Sequence, residues 1–165
     1  MIKGLHHNAY RCRDSEQTRN FYEGFLGLPL SGSLDIRETK SGRSTAVLHT
    51  FYQLDDGSYL AFFEAPDMPF EFKRQHDYDL HIALEVERAV LDAKFAEGRT
   101  RGIETRGVSD HGFIHSIYFR DPNGYVIELT TKRPGHDESM DPARNDARAK
   151  LDRWQAAKRQ ATTAR

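Results

Sequence analysis

The chain has 165 residues, enough for one ordinary domain or for two small modules that share a core. Its 24 Lys and Arg nearly balance 25 Asp and Glu, and the pI is about 6.7, which argues against an electrostatic surface for nucleic acid or for a membrane. The single cysteine, Cys12, excludes an internal disulfide framework and suits a reducing cytoplasm, and no apolar run is long enough to span a membrane. We therefore expect a cytoplasmic protein with a small-molecule partner.

The first half of the chain predicts the order βαβββ. Residues 2–13 are expected to form a strand, and Asp14 is a suitable cap for a helix over residues 15–26, where apolar side chains recur at helical spacing. Three strand-like runs separated by glycine-containing turns follow, at residues 28–39, 43–53 and 58–65.

The second half of the chain repeats this order. The predicted elements are a strand, a helix, a second strand and a hairpin, at residues 80–86, 88–96, 103–108 and 113–129. Gly98 is expected to end the helix. Because His7 and His81 take the same place in the two halves, the chain is expected to contain two copies of one supersecondary unit.

The repeat predicts an α+β fold. Two βαβββ modules, at about residues 2–66 and 79–132, would pair into a curved sheet around a cleft. Residues two apart in a strand share a face, so His81 points to one side and the repeat puts His7 on the same, cleft-facing side. His6 is then expected on the opposite face.

One carboxylate in the final strand predicts a metal ion. Glu128 lies in the apolar sequence YVIELT, where an unpaired charge is costly, so a metal ion or a cationic side chain should face it. Together with His7 and His81 it forms a set of two histidines and one carboxylate, which leaves coordination positions open for substrate. We expect one divalent metal ion per chain, and we expect His49 to be a structural or surface residue.

Three stretches of the sequence resemble the vicinal oxygen chelate superfamily, which includes glyoxalase I, methylmalonyl-CoA epimerase, fosfomycin-resistance enzymes and extradiol dioxygenases. They are the opening LHHNAYRCRDSEQTRNFYEGFLGL, the strand HIALEV and the ending DPNGYVIEL. The resemblance covers residues 2–132 and implies a domain over residues 1–132. It also implies that His7, His81 and Glu128 bind the metal in a cleft between paired modules.

The stretch from His111 to Glu128 is similar to the extradiol dioxygenase signature. The matching positions are His111, Ile117-Tyr118, Asp121-Pro122, Gly124 and Glu128, whereas Ser109 departs from the signature. This resemblance implies that Tyr118 and His111 form hydrogen bonds with a metal-bound catecholate. It favours Fe(II) as the metal, with Mn(II), Zn(II) or Ni(II) as alternatives, and a small extradiol-type dioxygenase acting on a catecholic aromatic substrate.

Two other functions stay open. Larger extradiol enzymes have an acid-base histidine in a region that here reads EAPDMPFEFKRQ, where Glu64 is the titratable candidate. Glyoxalases and epimerases place a fourth ligand or base near this position, so a glyoxalase I-like lyase, isomerase or epimerase that uses Glu64 is the second hypothesis. A gapless alignment of the two halves would instead put Phe62 opposite Glu128, and the choice stays open. A non-catalytic drug-binding protein, which in the family lacks the metal triad, is the third.

The last part of the chain, residues 133–165, is expected to be a C-terminal helical extension. It is rich in Ala, Arg, Lys and Gln, and its strongly apolar residues are Leu151 and Trp154. Such a narrow stripe can dock either on the domain or on a second subunit. Since many members of the superfamily are dimers, we expect a homodimer.

Overall fold

The computed structural model describes residues 1–74 and 76–163. The elements follow in the order β1 (His7–Cys12), α1 (Ser15–Tyr22), β2 (Leu30–Glu38), β3 (Ser44–Gln53), β4 (Tyr59–Glu64), β5 (Ile82–Glu85), α2 (Arg88–Thr100), β6 (Thr105–Asp110), β7 (Ile114–Arg120), β8 (Val126–Lys132), α3 (His136–Met140) and α4 (Ala147–Thr163). The α+β class is confirmed, with βαβββ followed by a second βαβββ and then a helical extension.

Each module forms one four-stranded mixed sheet. The strand orders are β1-β4-β3-β2 in the first sheet and β5-β8-β7-β6 in the second. In both sheets the first strand of the module runs parallel to its last strand, and the other neighbours are antiparallel. The two sheets have the same topology, as expected for two copies of one unit.

One hydrophobic core joins the two sheets. It contains residues from both modules, on the sides of the sheets that α1 and α2 cover. The Phe25 ring meets Phe119 edge-on with centroids 5.0 Å apart, and the Tyr10 ring lies 5.2 Å from Tyr125. We call these covered sides the helix sides and the opposite faces the outer sides. Because the helix sides share the core, the outer sides of the two sheets do not face each other across a cleft within one chain.

A buried turn in the second module holds the two modules together. Asp121 Oδ2 accepts a hydrogen bond from Tyr22 Oη of α1 at 3.0 Å, and Asp121 Oδ1 accepts from the backbone of Asn123 and Tyr125. Asn123 Oδ1 in turn accepts from the backbone N–H of Arg13 at 2.9 Å. Burial raises the pKa of Asp121, so these hydrogen bonds offset the cost of removing its carboxylate from water.

Gly124 completes this turn because no other residue fits there. Its φ is +95°, and an added Cβ would lie 2.3 Å from the backbone oxygen of Lys73. The backbone N–H of Lys73 also donates to the Asn123 carbonyl at 2.8 Å. The segment between the two modules is therefore attached to this turn.

The predicted end of α2 and the predicted start of β5 both differ from the structure. Gly98 was expected to end α2, but the helix continues to Thr100. Gly98 instead serves close packing, because an added Cβ would lie 2.6 Å from the Phe119 ring. His81 was expected inside a strand, but β5 begins at Ile82, and the His81 ring bonds to the carbonyl of Asp77.

The C-terminal extension forms two helices, α3 and α4, in the described part of the chain; the last two residues of the predicted extension lie outside it. Leu151 and Trp154 of α4 are 50% and 66% exposed, so neither is covered by the domain. No helix within residues 1–74 and 76–163 is long and apolar enough to cross a membrane.

The Asp121 network predicts a large effect on stability. Asp121→Ala should lower the free energy of unfolding by about 3 kcal/mol, because it leaves the fully buried Tyr22 hydroxyl and two backbone N–H groups without their acceptor. Asp56→Ala is the matched control, since Asp56 bonds to Ser58 in the exposed turn of the first module and should matter much less. Urea unfolding measures both. Equal losses in the two variants would show that the turn does not hold the modules together.

Candidate metal centre

Glu128 lies on the outer side of the second sheet and is nevertheless buried. It pairs with Ala83 of β5 and with Tyr118 of β7, and residues paired across strands share a face. The residue is 4% exposed. Its carboxylate Oε2 lies 3.1 Å from Nε2 of His81. The carboxylate and the histidine predicted for the second module therefore come together.

The His81 ring is oriented for metal binding. Its Nδ1 lies 2.6 Å from the carbonyl oxygen of Asp77, which can only accept, so Nδ1 carries the proton and Nε2 faces Glu128. Metal-binding histidines have this kind of carbonyl partner on the second nitrogen. Two donors each about 2.1 Å from one ion, at roughly 90 to 110°, lie about 3.0 to 3.4 Å apart. The pair in this structure fits a divalent ion.

Tyr118 and His111 form a pair next to Glu128. The Tyr118 hydroxyl lies 2.8 Å from Nε2 of His111. The Arg106 guanidinium lies over the Tyr118 ring, 5.2 Å from its centroid, and is held by the Asp77 carboxylate at 2.9 Å. Burial, and after it the charge of Glu128, raises the pKa of Tyr118. The phenol therefore keeps its proton at neutral pH and can donate it in a hydrogen bond.

The structure does not bring His7 to this pair. His7 is exposed on the outer side of the first sheet, with its ring 5.7 Å from Phe51. Within residues 1–74 and 76–163, no three His, Cys, Asp or Glu side chains are grouped to hold a metal ion. The single-chain cleft that we expected from the repeat is not formed, because the core uses the helix sides of both sheets.

His6 was expected on the face opposite to His7, but the structure places the two side chains together. Their Nδ1 atoms lie 2.8 Å apart and the ring centroids 5.0 Å apart. His6 precedes β1, so the alternation of side chains along a strand does not apply to it.

Glu64 and Phe62 lie on the helix side of β4. The Phe62 ring is fully buried, 4.6 Å from the Tyr22 ring of α1. Glu64 Oε2 accepts a hydrogen bond from the backbone N–H of Ser15 at 2.7 Å, at the start of the same helix. Neither of the two candidates for the position facing the metal reaches the outer side.

The observed register identifies Ala61 as the equivalent of Glu128. Ala9 of β1 pairs with Ala61, just as Ala83 of β5 pairs with Glu128. Ala9 and Ala83 follow the two histidines at the same spacing in the two modules. The first module therefore supplies a histidine but no carboxylate on its outer side at this position.

Three residues around the centre were missed by sequence reasoning. Asp77 and Arg106 position His81 and Tyr118, as described above, and His49 of β3 lies beside His7 with ring centroids 6.3 Å apart. Asp77 lies in a loop and acts partly through its backbone carbonyl, which leaves no signal in the sequence. His49 has one signal, because it lies two residues before Phe51 in a strand and must share its face.

Comparisons with known proteins agree on the family. A family model described as the Glyoxalase/Bleomycin resistance protein/Dioxygenase superfamily matches residues 4–129. The metallothiol transferase FosB of Shouchella clausii is 30% identical over 157 residues, covering 86% of this chain and 92% of that protein. The putative ring-cleaving dioxygenase MhqA of Bacillus subtilis is 32% identical over 112 residues, which are 64% of this chain and only 34% of that protein.

A solved structure shows the same fold. The fosfomycin resistance protein FosX of Listeria monocytogenes, in complex with Mn(II) and sulfate, has a TM-score of 0.60 and 20% sequence identity. The match covers 83% of this chain and 98% of that one. At this identity the likeness supports the fold alone.

The position of Glu64 predicts a structural role. Glu64→Ala should lower the free energy of unfolding by about 1 kcal/mol, because the backbone N–H of Ser15 loses its acceptor at the start of α1. Glu64→Gln retains an acceptor oxygen and should lose less. Bound metal, measured by elemental analysis, should be unchanged in both variants. Loss of metal in Glu64→Ala with an unchanged unfolding midpoint would assign Glu64 to the metal centre instead.

Proposed function

Because the chain belongs to the glyoxalase/bleomycin resistance protein/dioxygenase superfamily, we propose that it is a divalent-metal-dependent dioxygenase of the extradiol type that cleaves a catecholic aromatic compound. The observation that carries this proposal is the hydrogen-bonded pair of Tyr118 and His111 beside the buried Glu128. A phenol and an imidazole next to a metal-binding carboxylate suit a substrate with two adjacent oxygen atoms and developing negative charge.

The proposed metal ligands are His7, His81 and Glu128, with Fe(II) as the favoured metal. Bound Fe(II) would supply the redox chemistry by which an aromatic diolate and dioxygen react, and three protein ligands leave room for both. Mn(II), Zn(II) and Ni(II) also suit a set of two imidazoles and one carboxylate. FosX, which shares the fold, binds Mn(II).

We place the complete centre between two copies of the chain. His7 and Ala9 are exposed on the outer side of the first sheet, whereas His81 and Glu128 lie on the outer side of the second. In a dimer with two-fold symmetry, the first sheet of each copy can cover the second sheet of the other, so that two equivalent centres form. The exposed Leu151 and Trp154 of α4 offer a second contact with the partner subunit.

The residues of the second sheet then have separate roles. Tyr118 donates a hydrogen bond to a substrate oxygen, and its raised pKa keeps the proton in place. His111 holds the Tyr118 hydroxyl at 2.8 Å. Arg106 lies over the Tyr118 ring and is fixed by Asp77, so the phenol is held in one orientation.

The geometry favours this reaction over lyase, isomerase or epimerase chemistry that uses a second carboxylate. Such a reaction needs a base or fourth ligand from the first module. Ala61 occupies the position equivalent to Glu128, and Glu64 points to the start of α1. Neither side chain can remove a proton from a substrate held at the centre.

A metallothiol transferase is the second candidate, because the similarity to FosB extends over 92% of that protein. The charges on the outer side of the second sheet argue for the first candidate, although Arg11 on the outer side of the first sheet bonds to Met68 and the Ala65 carbonyl and has no carboxylate partner in the described part of the chain. Arg106, Arg120 and Lys132 are each paired with a carboxylate, within 2.9, 3.2 and 3.0 Å respectively. A doubly charged phosphonate such as that of fosfomycin would have to compete with these carboxylates for the cations, whereas a metal-bound catecholate does not need the cations.

Binding of a drug without catalysis is the third candidate, and the fit of His81 and Glu128 to a metal ion counts against it.

A mixture of two variants tests the shared centre. His7→Ala and His81→Ala should each lose most of the bound metal as homodimers, because one of three protein ligands is removed. In a heterodimer of the two, one centre lacks both histidines and the other is intact. Co-expression in equal amounts should therefore restore about a quarter of the wild-type metal content.

Elemental analysis of co-purified dimers, with mass from light scattering, makes the measurement. His136→Ala mixed with His81→Ala is the control. His136 lies in α3 and is not a proposed ligand, so this mixture should contain about half of the wild-type metal whether the centre lies within one chain or between two. Absence of recovery from the first mixture would assign the three ligands to one chain. Full metal content in the His81→Ala homodimer would reject the ligand set itself.

Oxygen uptake tests the reaction. Protein loaded anaerobically with Fe(II) should consume dioxygen with a panel of catechols and form the yellow ring-fission product. Tyr118→Phe should lower this rate by about 10 to 1000 fold with metal content intact, because it removes one charge-stabilising hydrogen bond. Tyr78→Phe is the control, since Tyr78 is 94% exposed.

Two other results of the activity assays would support the alternative functions. Turnover of a hemithioacetal or epimerisation of a thioester by the Zn(II) or Ni(II) protein, without oxygen uptake by the Fe(II) protein, would replace the dioxygenase with an isomerase or lyase. Consumption of a thiol that depends on fosfomycin would replace it with the transferase.

A further inference from the structure

The outer side of the first sheet carries a group of aromatic rings next to His7. We call it the aromatic shelf, and it consists of His49, Phe51, Tyr59 and Phe63. The His49 ring is stacked on Phe63 with centroids 3.6 Å apart and an interplanar angle of 12°, and it lies 4.2 Å from the Phe51 ring. Phe51 in turn contacts both His7 and Tyr59.

Strand register fixes the shelf to the same face as His7. His49 pairs with Phe63, which pairs with Arg11 of β1, and Tyr59 pairs directly with His7. Arg11 shares a face with His7 because the two residues are four apart in one strand. The shelf therefore borders the proposed metal centre whether that centre lies within one chain or between two copies.

His49 has one nitrogen that the fold uses and one that it leaves free. Nδ1 lies 3.0 Å from the carbonyl oxygen of Phe62, which can only accept a hydrogen bond, so Nδ1 carries the proton. In the neutral ring Nε2 is then an acceptor. Nε2 has no hydrogen-bond partner among residues 1–74 and 76–163. The residue as a whole is only 6% exposed, but Nε2 is not among the buried atoms that lack a partner in the described part of the chain, so it reaches the surface of the outer side and is open to a ligand.

We propose that His49 binds the substrate, with Nε2 accepting a hydrogen bond from a hydroxyl group of a hydroxylated aromatic ring that packs on the aromatic shelf. This inference rests on the proposed function and adds the specificity residue that the second sheet does not supply. Tyr118 donates to one oxygen of the substrate from the second sheet, and His49 accepts from the other hydroxyl from the first sheet. A substrate with two adjacent oxygens, one of them protonated, satisfies both.

The two amide replacements of histidine separate binding from structure. The Asn side chain reaches only as far as Nδ1 of an imidazole, so His49→Asn can still donate to the Phe62 carbonyl but has nothing at the position of Nε2. The Gln side chain reaches as far as Nε2, so His49→Gln keeps a polar group where the substrate would meet it. A purely structural role predicts that the Asn variant resembles wild type more closely than the Gln variant does.

The measurement is calorimetric titration of full-length, Zn(II)-loaded protein with catechol, because zinc does not support turnover with dioxygen. His49→Asn should weaken catechol binding by about tenfold, the size expected for one hydrogen bond. His49→Gln should stay within about threefold of wild type, and so should His136→Asn, a change in α3. Zinc content should be about one per chain in every variant, since His49 is not a proposed ligand.

The outcomes separate this inference from the proposed function. If wild-type protein with one zinc per chain does not bind catechol, the catecholic substrate is rejected and the role of His49 with it. If wild type binds catechol and His49→Asn binds it equally well, the inference alone is overturned. The same holds if His49→Gln loses more affinity than His49→Asn, which is the order that a structural role predicts.

Discussion

The packing of the two helix sides into one core is the constraint on which the rest of the structure depends. Rings from both modules meet there, such as Phe25 on Phe119, and the buried Asp121 ties the turn of one module to α1 of the other. Once these faces are used, the outer sides of the two sheets cannot cover each other within one chain. The positions of His7 and of the pair of His81 and Glu128 on separate outer sides follow directly from that choice.

The buried Glu128 shows why the outer side of the second sheet is a site and not a plain surface. Removing a carboxylate from water is costly unless a cation compensates, and the side chain is only 5% exposed. Two arrangements compensate it, a protonated His81 or a metal ion bound by both residues. The Asp77 carbonyl already orients Nε2 toward the carboxylate, so a metal ion can replace the proton with little movement of the protein.

The sequence predicted the local structure well because its signals are local. The spacing of apolar residues, the turn at Asp121 to Gly124 and the repeated histidine gave the order of the elements and the pair of His81 and Glu128. The packing of the two modules against each other could not be predicted from the sequence. Hydrophobic patterning gives each module a face to bury but does not identify the surface that covers this face. The register of β1 on β4 could not be predicted from the sequence either. A shift of one residue exchanges Ala61 for Phe62 on the outer side.

The proposed division of the metal centre between two sheets would also divide the chemistry. The second sheet provides charge and hydrogen-bond donors, with Glu128, Tyr118 and the fixed Arg106. The first sheet provides His7, the proposed imidazole ligand, and a group of rings that contribute contact area at low cost in conformational entropy. Substrate selection could then depend on rings such as Phe51 and Phe63, while the proposed metal ligands stay the same. The relatives of this chain include a metallothiol transferase and a putative ring-cleaving dioxygenase, and a separation of this kind would let one metal site serve different substrates.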